Sequence, residues 1–296
     1  MTAETPPFNP YIALSLGIIS VSFGAIFARL SGEADALVIS AYRVGLASII
    51  LFPIAWLKVR DELSSLSMAD LRFAALSGFF LAMHFAAWIS SLDYTSVANS
   101  VVLVNTNPLW VGILTPFIAK EKMSITTKIG IFISVIGGTI IGIGDISFGS
   151  KALLGDGLAI VGSMCAAIYL LIGRTIRQKL SLLAYIMVCY GSAAVILWSI
   201  VLFLKLPITG FGTKTFSALC AIALIPQLIG HTSYNWSLKW VSANMIAVSL
   251  LGEPIGSTIL AYFIFGESLT WAKVIGGGLI LSAIRIASAG ERVSDG

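Results

Sequence analysis

The chain has 296 residues, of which 57% are hydrophobic and only 11% charged, against roughly 25% charged in an ordinary soluble domain. That leaves too little polar surface for a water-soluble globule and points to a bundle of transmembrane helices. The net charge of +4 is then a question of how cations divide between loops, not a nucleic-acid signal.

Hydropathy predicts helices 1 to 5 near residues 12–30, 36–57, 69–91, 96–118 and 125–144. Helices 6 to 10 follow near 155–173, 182–204, 215–237, 243–265 and 271–288. Connections are short, so consecutive helices are expected to be antiparallel neighbours. Helix 1 reads as retained, because Met1–Pro10 carries no Lys or Arg and its apolar run continues to Leu30. With the N-terminus inside, the inner loops and tail hold twelve cations: Lys58, Arg60, Arg72, Lys120, Lys122, Lys128, Arg174, Arg177, Lys179, Lys239, Arg285 and Arg292. The outer loops hold five, Arg29, Lys151, Lys205, Lys214 and Lys273. Both termini are therefore expected in the cytoplasm.

Residues 94–130 and 240–276 repeat one pattern at an offset of 146. Ile113-Leu114-x-x-Phe117-Ile118-x-x-Glu121 recurs as Ile259-Leu260-x-x-Phe263-Ile264-x-x-Glu267, and Ser96, Val102, Pro108 and Gly130 recur as Ser242, Val248, Pro254 and Gly276. The boundary between repeats is expected at 146/147, giving units 1–146 and 147–296. A five-helix unit is odd, so its second copy enters the membrane from the other side, which makes an inverted repeat of the kind transporters use. The match is strong for helices 4–5 against 9–10. For helices 1–3 against 6–8 only Phe23–Phe27 aligns, loosely, with Ala166–Leu170.

Candidate chemistry begins at the two prolines. Asn105-Thr106-Asn107-Pro108 and Gly252-Glu253-Pro254 fall near the middles of helices 4 and 9. Each proline lacks an N–H and clashes one turn back, so each marks either a packing kink or a paired break lining a wet cavity. Glu253 is the one carboxylate placed near the bilayer centre. It is a candidate for substrate-ammonium contact or proton coupling, the alternative being a protonated Glu bonded between helices.

Helix 3 sets His84, Trp88 and Ser91 on one face beneath Phe80, and helix 8 sets Gln227, His231, Tyr234 and Asn235 on another, next to Trp236. Both faces should look into the bundle. For each histidine an interhelical hydrogen bond is the competing role, and for Trp88 and Trp236 an interfacial anchor. Arg43, two turns into helix 2, is expected either to snorkel to the outer headgroups or to pair with a solute carboxylate, Asp35 or Asp93. Gly138 and Gly142 in helix 5, with Gly137 and Gly144 beside them and Gly276–Gly278 in helix 10, read as close-packing surfaces.

Cys165, Cys189 and Cys220 lie in apolar segments and have neither zinc nor disulfide spacing. Phosphate-loop and nucleophile motifs are absent from the sequence, so no enzyme, metal or cofactor is expected.

Taken together, Pro108…Glu121…Gly130 and Pro254…Glu267…Gly276, with Arg43 in helix 2, resemble the EamA family of the drug/metabolite transporter superfamily, over nearly the whole chain. Helix 1 departs from the family, with Phe23-Gly24 where Trp-Gly is usual, and it lacks the embedded Glu of the small multidrug exporters. The resemblance implies a basket of ten helices around a central cavity lined by helices 1, 3, 4, 6, 8 and 9, with 5 and 10 peripheral. It also implies export of amino acids or related metabolites from a bacterium, most like the aromatic amino-acid exporters, across the inner membrane. A monomer suffices for such a cavity, and the expected partners are a small solute and the bilayer, with no nucleic acid. The competing functions are an antiporter of phosphorylated or nucleotide-linked metabolites, a channel, and a non-transporting receptor.

Overall fold

The computed structural model describes residues 5–95, 97–121, 123–143, 150–266 and 269–294, and every regular element among them is helical. Ser96, Lys122, Gly144 and Glu267 lie outside the described residues. Eight helices are long and apolar enough to cross a membrane, and the shorter apolar runs Ile125–Ile140 and Val274–Ala289 complete the expected ten.

Local chemistry sets most helix starts. Asn9 caps helix 1 by accepting from the Tyr11 amide at 3.0 Å, with Pro10 in the first turn. Helix 1 runs Pro10–Ser22 and Gly24–Leu30, divided at Phe23. Asp35 caps helix 2 through the Leu37 amide at 2.8 Å, and Ser67 caps helix 3 (Met68–Ser91) through the Asp70 amide at 3.1 Å. Helix 2 extends over Ala36–Ser65, two turns beyond the expected end, bending at Val59. Its polar end stops the hydropathy signal, yet Lys, Arg and Glu remain good helix formers. Helix 6 (Ser150–Ile176) and helix 10 (Trp271–Ser294) outrun their apolar cores in the same way.

Helix 4 consists of Val97–Val104 and Asn107–Ile118, and helix 9 of Ala243–Leu250 and Gly252–Phe265. Pro108 and Pro254 both sit in the first turn of the second segment, where a missing N–H costs nothing. They start new half-helices and do not kink continuous ones. Helix 8 (Thr213–Ser237) has a departure that periodicity did not anticipate: Ala223–His231, containing Pro226, is π-helical.

The two repeats exchange their first helices. Helix 6 packs on helices 3 and 4, while helix 1 packs on helices 8 and 9. Helix 2 packs on helix 7 (Leu182–Phe203), and helix 5 (Ile125–Ile143) on helix 10 at the periphery. The inverted symmetry shows in two matching contacts. Gly17 of helix 1 lies against the Gly230 carbonyl and the Tyr234 ring, and Gly162 of helix 6 lies against the His84 carbonyl and Trp88. These pairs fix the register that the sequence left loose, at 145 for helices 1 and 6 and 146 for helices 3 and 8. The Phe23–Phe27 match to Ala166–Leu170 is therefore two positions out of register.

The glycine expectation for helices 5 and 10 also needs correction. A Cβ on Gly137 would meet the Gly276 carbonyl at 2.7 Å and one on Gly130 the Ala283 carbonyl at 3.0 Å, whereas Gly138 has nothing nearer than Val102 at 3.8 Å. Close approach follows the 130/137 stripe. The three cysteines are unpaired, with Cys189 buried and the other two half-buried. Phe117, Phe203 and Trp271 are among the large apolar side chains turned outward, as a lipid-facing surface requires.

Candidate functional site

The breaks in helices 4 and 9 border a cavity at the centre of the bundle. Helix 4 contributes Val104, Asn105 and Asn107 to its wall, and helix 9 contributes Leu250 and Glu253. Val21, His84, Trp88, Ala166, Tyr169, Leu170, His231 and Tyr234 bring in helices 1, 3, 6 and 8, and Arg43 adds helix 2 to the expected set. The cavity has a volume of about 40 Å³.

Arg43 does not snorkel, and neither Asp35 nor Asp93 is its partner. It is 1% exposed. Its Nε donates to Gln227 Oε1 at 2.9 Å, and its guanidinium lies 4.0 Å from the centre of the Phe85 ring and 5.9 Å from that of Trp88. The helix packs inward at this point, so the side chain meets aromatic faces and an amide instead of headgroups. Its Nη1 is buried without a partner. Asp35 is occupied in capping. Asp93, outside the membrane span, has its carboxyl pushed above the usual range by burial and then by the nearby Asp35 charge.

Glu253 lies in the first turn of the second half of helix 9 and shares the cavity wall with Asn105, whose Nδ2 donates to the Val101 carbonyl at 2.8 Å. Glu253 and Arg43 act on one another electrostatically, yet no ion pair within 4.0 Å joins them. The cavity therefore holds one guanidinium, from helix 2, and one carboxyl group, from helix 9, facing a common space. Asn107, the repeat counterpart of Glu253, leaves its Oδ1 without a partner.

His84 Nδ1 donates to the Gly162 carbonyl at 2.9 Å, so the interhelical bond weighed for the histidines is present here. His231 differs, because its Nδ1 has no partner. Its ring lies 5.2 Å from Phe85, 5.8 Å from Tyr234 and 5.9 Å from Tyr169. Trp88 is buried on the cavity wall and stacks parallel to His84, so it is no interfacial anchor. Trp236 stacks on Phe8 at 4.2 Å, away from the cavity.

Two predicted site residues are not on the wall. Gln227 stands behind Arg43 and orients it. Asn235 accepts from Tyr169 Oη at 2.8 Å and donates to Tyr190 Oη at 3.0 Å. Of the four helix 8 residues, His231 and Tyr234 line the cavity, while Gln227 and Asn235 are engaged beside it by Arg43, Tyr169 and Tyr190. Tyr169 was missed by sequence reasoning. The signal was a hydroxyl-bearing ring inside an apolar run, within the segment already matched to helix 1.

Discontinuous helices meeting at a central cavity inside an inverted ten-helix bundle are the architecture of a membrane transporter. The comparisons are in agreement. The EamA-like transporter family profile matches residues 9–143 and again 153–289, and the chain belongs to that family. An uncharacterized transporter of Archaeoglobus fulgidus is 26% identical over 94% of this chain and 96% of its own length. The uncharacterized transporter YyaM of Bacillus subtilis is 24% identical over 86% and 85%. One solved crystal structure superposes with a TM-score of 0.79 at 15% identity, covering 97% of this chain and 99% of that one, which bears on the fold alone.

Proposed function

We propose that the protein exports a small amphipathic metabolite, an amino acid and preferably an aromatic one, across a bacterial inner membrane by alternating access. One observation carries this reading. Five polar atoms on the cavity wall are buried without partners: Arg43 Nη1, Trp88 Nε1, Asn107 Oδ1, His231 Nδ1 and Tyr234 Oη. Each such group costs about 1–3 kcal/mol when left unpaired, a cost that a polar solute removes on binding. Arg43 suits a carboxylate, Glu253 suits an ammonium, and the surrounding rings suit a flat side chain. Residues 1–146 and 147–296 are the two repeats in this reading. Both termini are cytoplasmic, and one chain suffices because its ten helices enclose the cavity.

Transport of a phosphorylated solute would call for several cations, and among the described residues Arg43 is the only Lys or Arg on the wall. A channel would conduct without saturation. Counterflow in liposomes with every amino acid, run with and without a proton gradient, tests the proposal. Saturable exchange of one or a few is expected, and no movement under any gradient would refute it.

A further inference from the structure

Helix 1 divides at Phe23, and its second segment begins at Gly24. Ser257 of helix 9 donates to the Ser22 carbonyl at 3.0 Å, which ties the division to helix 9. Other glycines of these two helices are required by packing. A Cβ on Gly17 would stand 2.5 Å from the Tyr234 ring, one on Gly252 2.7 Å from Ile18, and one on Gly256 2.1 Å from Ser22 Oγ. Gly24 differs. A Cβ there would meet Trp88 at 3.4 Å, Arg43 Nη1 at 3.7 Å and Pro226 at 4.0 Å, all ordinary contacts. Its backbone is helical, with no positive φ to call for glycine. Glycine weakens a helix relative to alanine, so neither sterics nor backbone geometry accounts for it here.

The missing side chain leaves a methyl-sized space against an unpaired donor. Arg43 is buried, and its Nη1 has no partner. The guanidinium is not free to turn away. Gln227 holds its Nε at 2.9 Å, and its face lies 4.0 Å from the centre of the Phe85 ring. A planar group fixed at one nitrogen and one face keeps its other donors in place. An oxygen centred where the Gly24 Cβ would stand is 3.7 Å from Nη1. Moving it about 0.8–1 Å closer reaches the roughly 2.7–2.9 Å of a charge-assisted hydrogen bond. Arg43 and Trp88 also belong to the cavity wall, which sets this space at the edge of the cavity.

We infer that Gly24 is the floor of a carboxylate subsite, in which one oxygen of the solute's carboxylate takes the place of a side chain and accepts from Arg43 Nη1. This rests on the reading of the cavity as a solute site, and adds to it the end of the solute that helix 1 recognises. Trp88 and Pro226 bound the space with apolar atoms. It therefore takes a planar carboxylate in preference to a bulkier tetrahedral anion such as a phosphate or a sulfonate. Gly24 sets specificity through the volume it leaves free.

Formate tests the subsite, because a cavity of about 40 Å³ admits about three water-sized groups, the size of this smallest carboxylate. Unfolding midpoints of the full-length protein in detergent are compared in sodium formate and in sodium chloride at equal concentration. At formate about ten times its dissociation constant, the wild-type midpoint should stand roughly 2–5 °C above that in chloride. Gly24→Ala should lose this difference, while its midpoint in chloride equals or exceeds that of wild type. Gly138→Ala, whose Cβ would have 3.8 Å to Val102, should keep it. No formate-specific shift in wild type, or the same shift in Gly24→Ala, would overturn the subsite. So would a lower chloride midpoint for Gly24→Ala, which would mean that packing requires the glycine. No amino acid is present, so the result is separate from counterflow. Saturable exchange without a formate shift removes the subsite alone, and a formate shift without exchange removes the export proposal alone.

Discussion

Replacing Arg43 by lysine separates two kinds of interaction that the guanidinium makes. The Nε bond to Gln227 and the stacking on Phe85 exist with or without a solute, so their loss is read as stability. A hydrogen bond to a charged group contributes about 1.5–3 kcal/mol in soluble proteins, while interhelical bonds in membranes average about 0.6 kcal/mol. The cation–π contact contributes roughly 0.5–2 kcal/mol, part of which an ammonium recovers. The expected loss for Arg43→Lys is therefore about 1–3 kcal/mol, visible as a lower midpoint of thermal unfolding in detergent. The Nη1 contact, in contrast, forms only with solute, and losing it weakens the dissociation constant about 10- to 150-fold. Tryptophan fluorescence, with Trp88 on the wall, can follow that titration for whichever amino acid the counterflow screen selects. Gln227→Leu leaves the wall intact and frees the guanidinium, so it should weaken binding as well, by a smaller factor. Wild-type affinity in both variants would refute the argument that a held Arg43 receives the solute.

Three further outcomes follow from particular contacts. Glu253→Gln should alter the transport rate or its pH dependence in the liposome assay, and an unchanged profile would remove Glu253 from both contact and coupling. Gly78→Ala should destabilise the bundle by about 1–3 kcal/mol, because its Cβ would stand 2.0 Å from Ser192 Oγ and 2.2 Å from the Cys189 carbonyl. An unshifted midpoint would mean that helices 3 and 7 can separate freely. Asp93 has a folded-state pKa above its ordinary 3.8, so ionising it costs stability once pH rises past that value. Asp93→Asn should therefore raise the unfolding midpoint at pH 7, with the difference fading as the pH falls below 3.8; a gain that persists in acid would contradict this.

The one-dimensional pattern of this chain determined its ten spans, the inversion of its repeats and the two break points. Each of these depends on local properties: runs of apolar residues long enough for a bilayer, an odd number of spans per repeat, and proline's missing N–H. It also placed His84, Trp88, Glu253 and His231 inward, because polar atoms are costly against lipid. Partner choice was decided only in three dimensions. In a membrane segment, the lipid-facing and helix-facing sides are both apolar, so periodicity cannot say which helices meet. Nothing in the repeat showed that helices 1 and 6 change places, that Arg43 turns inward onto Phe85 and Gln227, or that Asn235 is held by Tyr169 and Tyr190 beside the cavity wall. Those outcomes rest on glycine contacts, ring faces and hydrogen bonds between residues far apart in the chain, which exist only once the helices have packed.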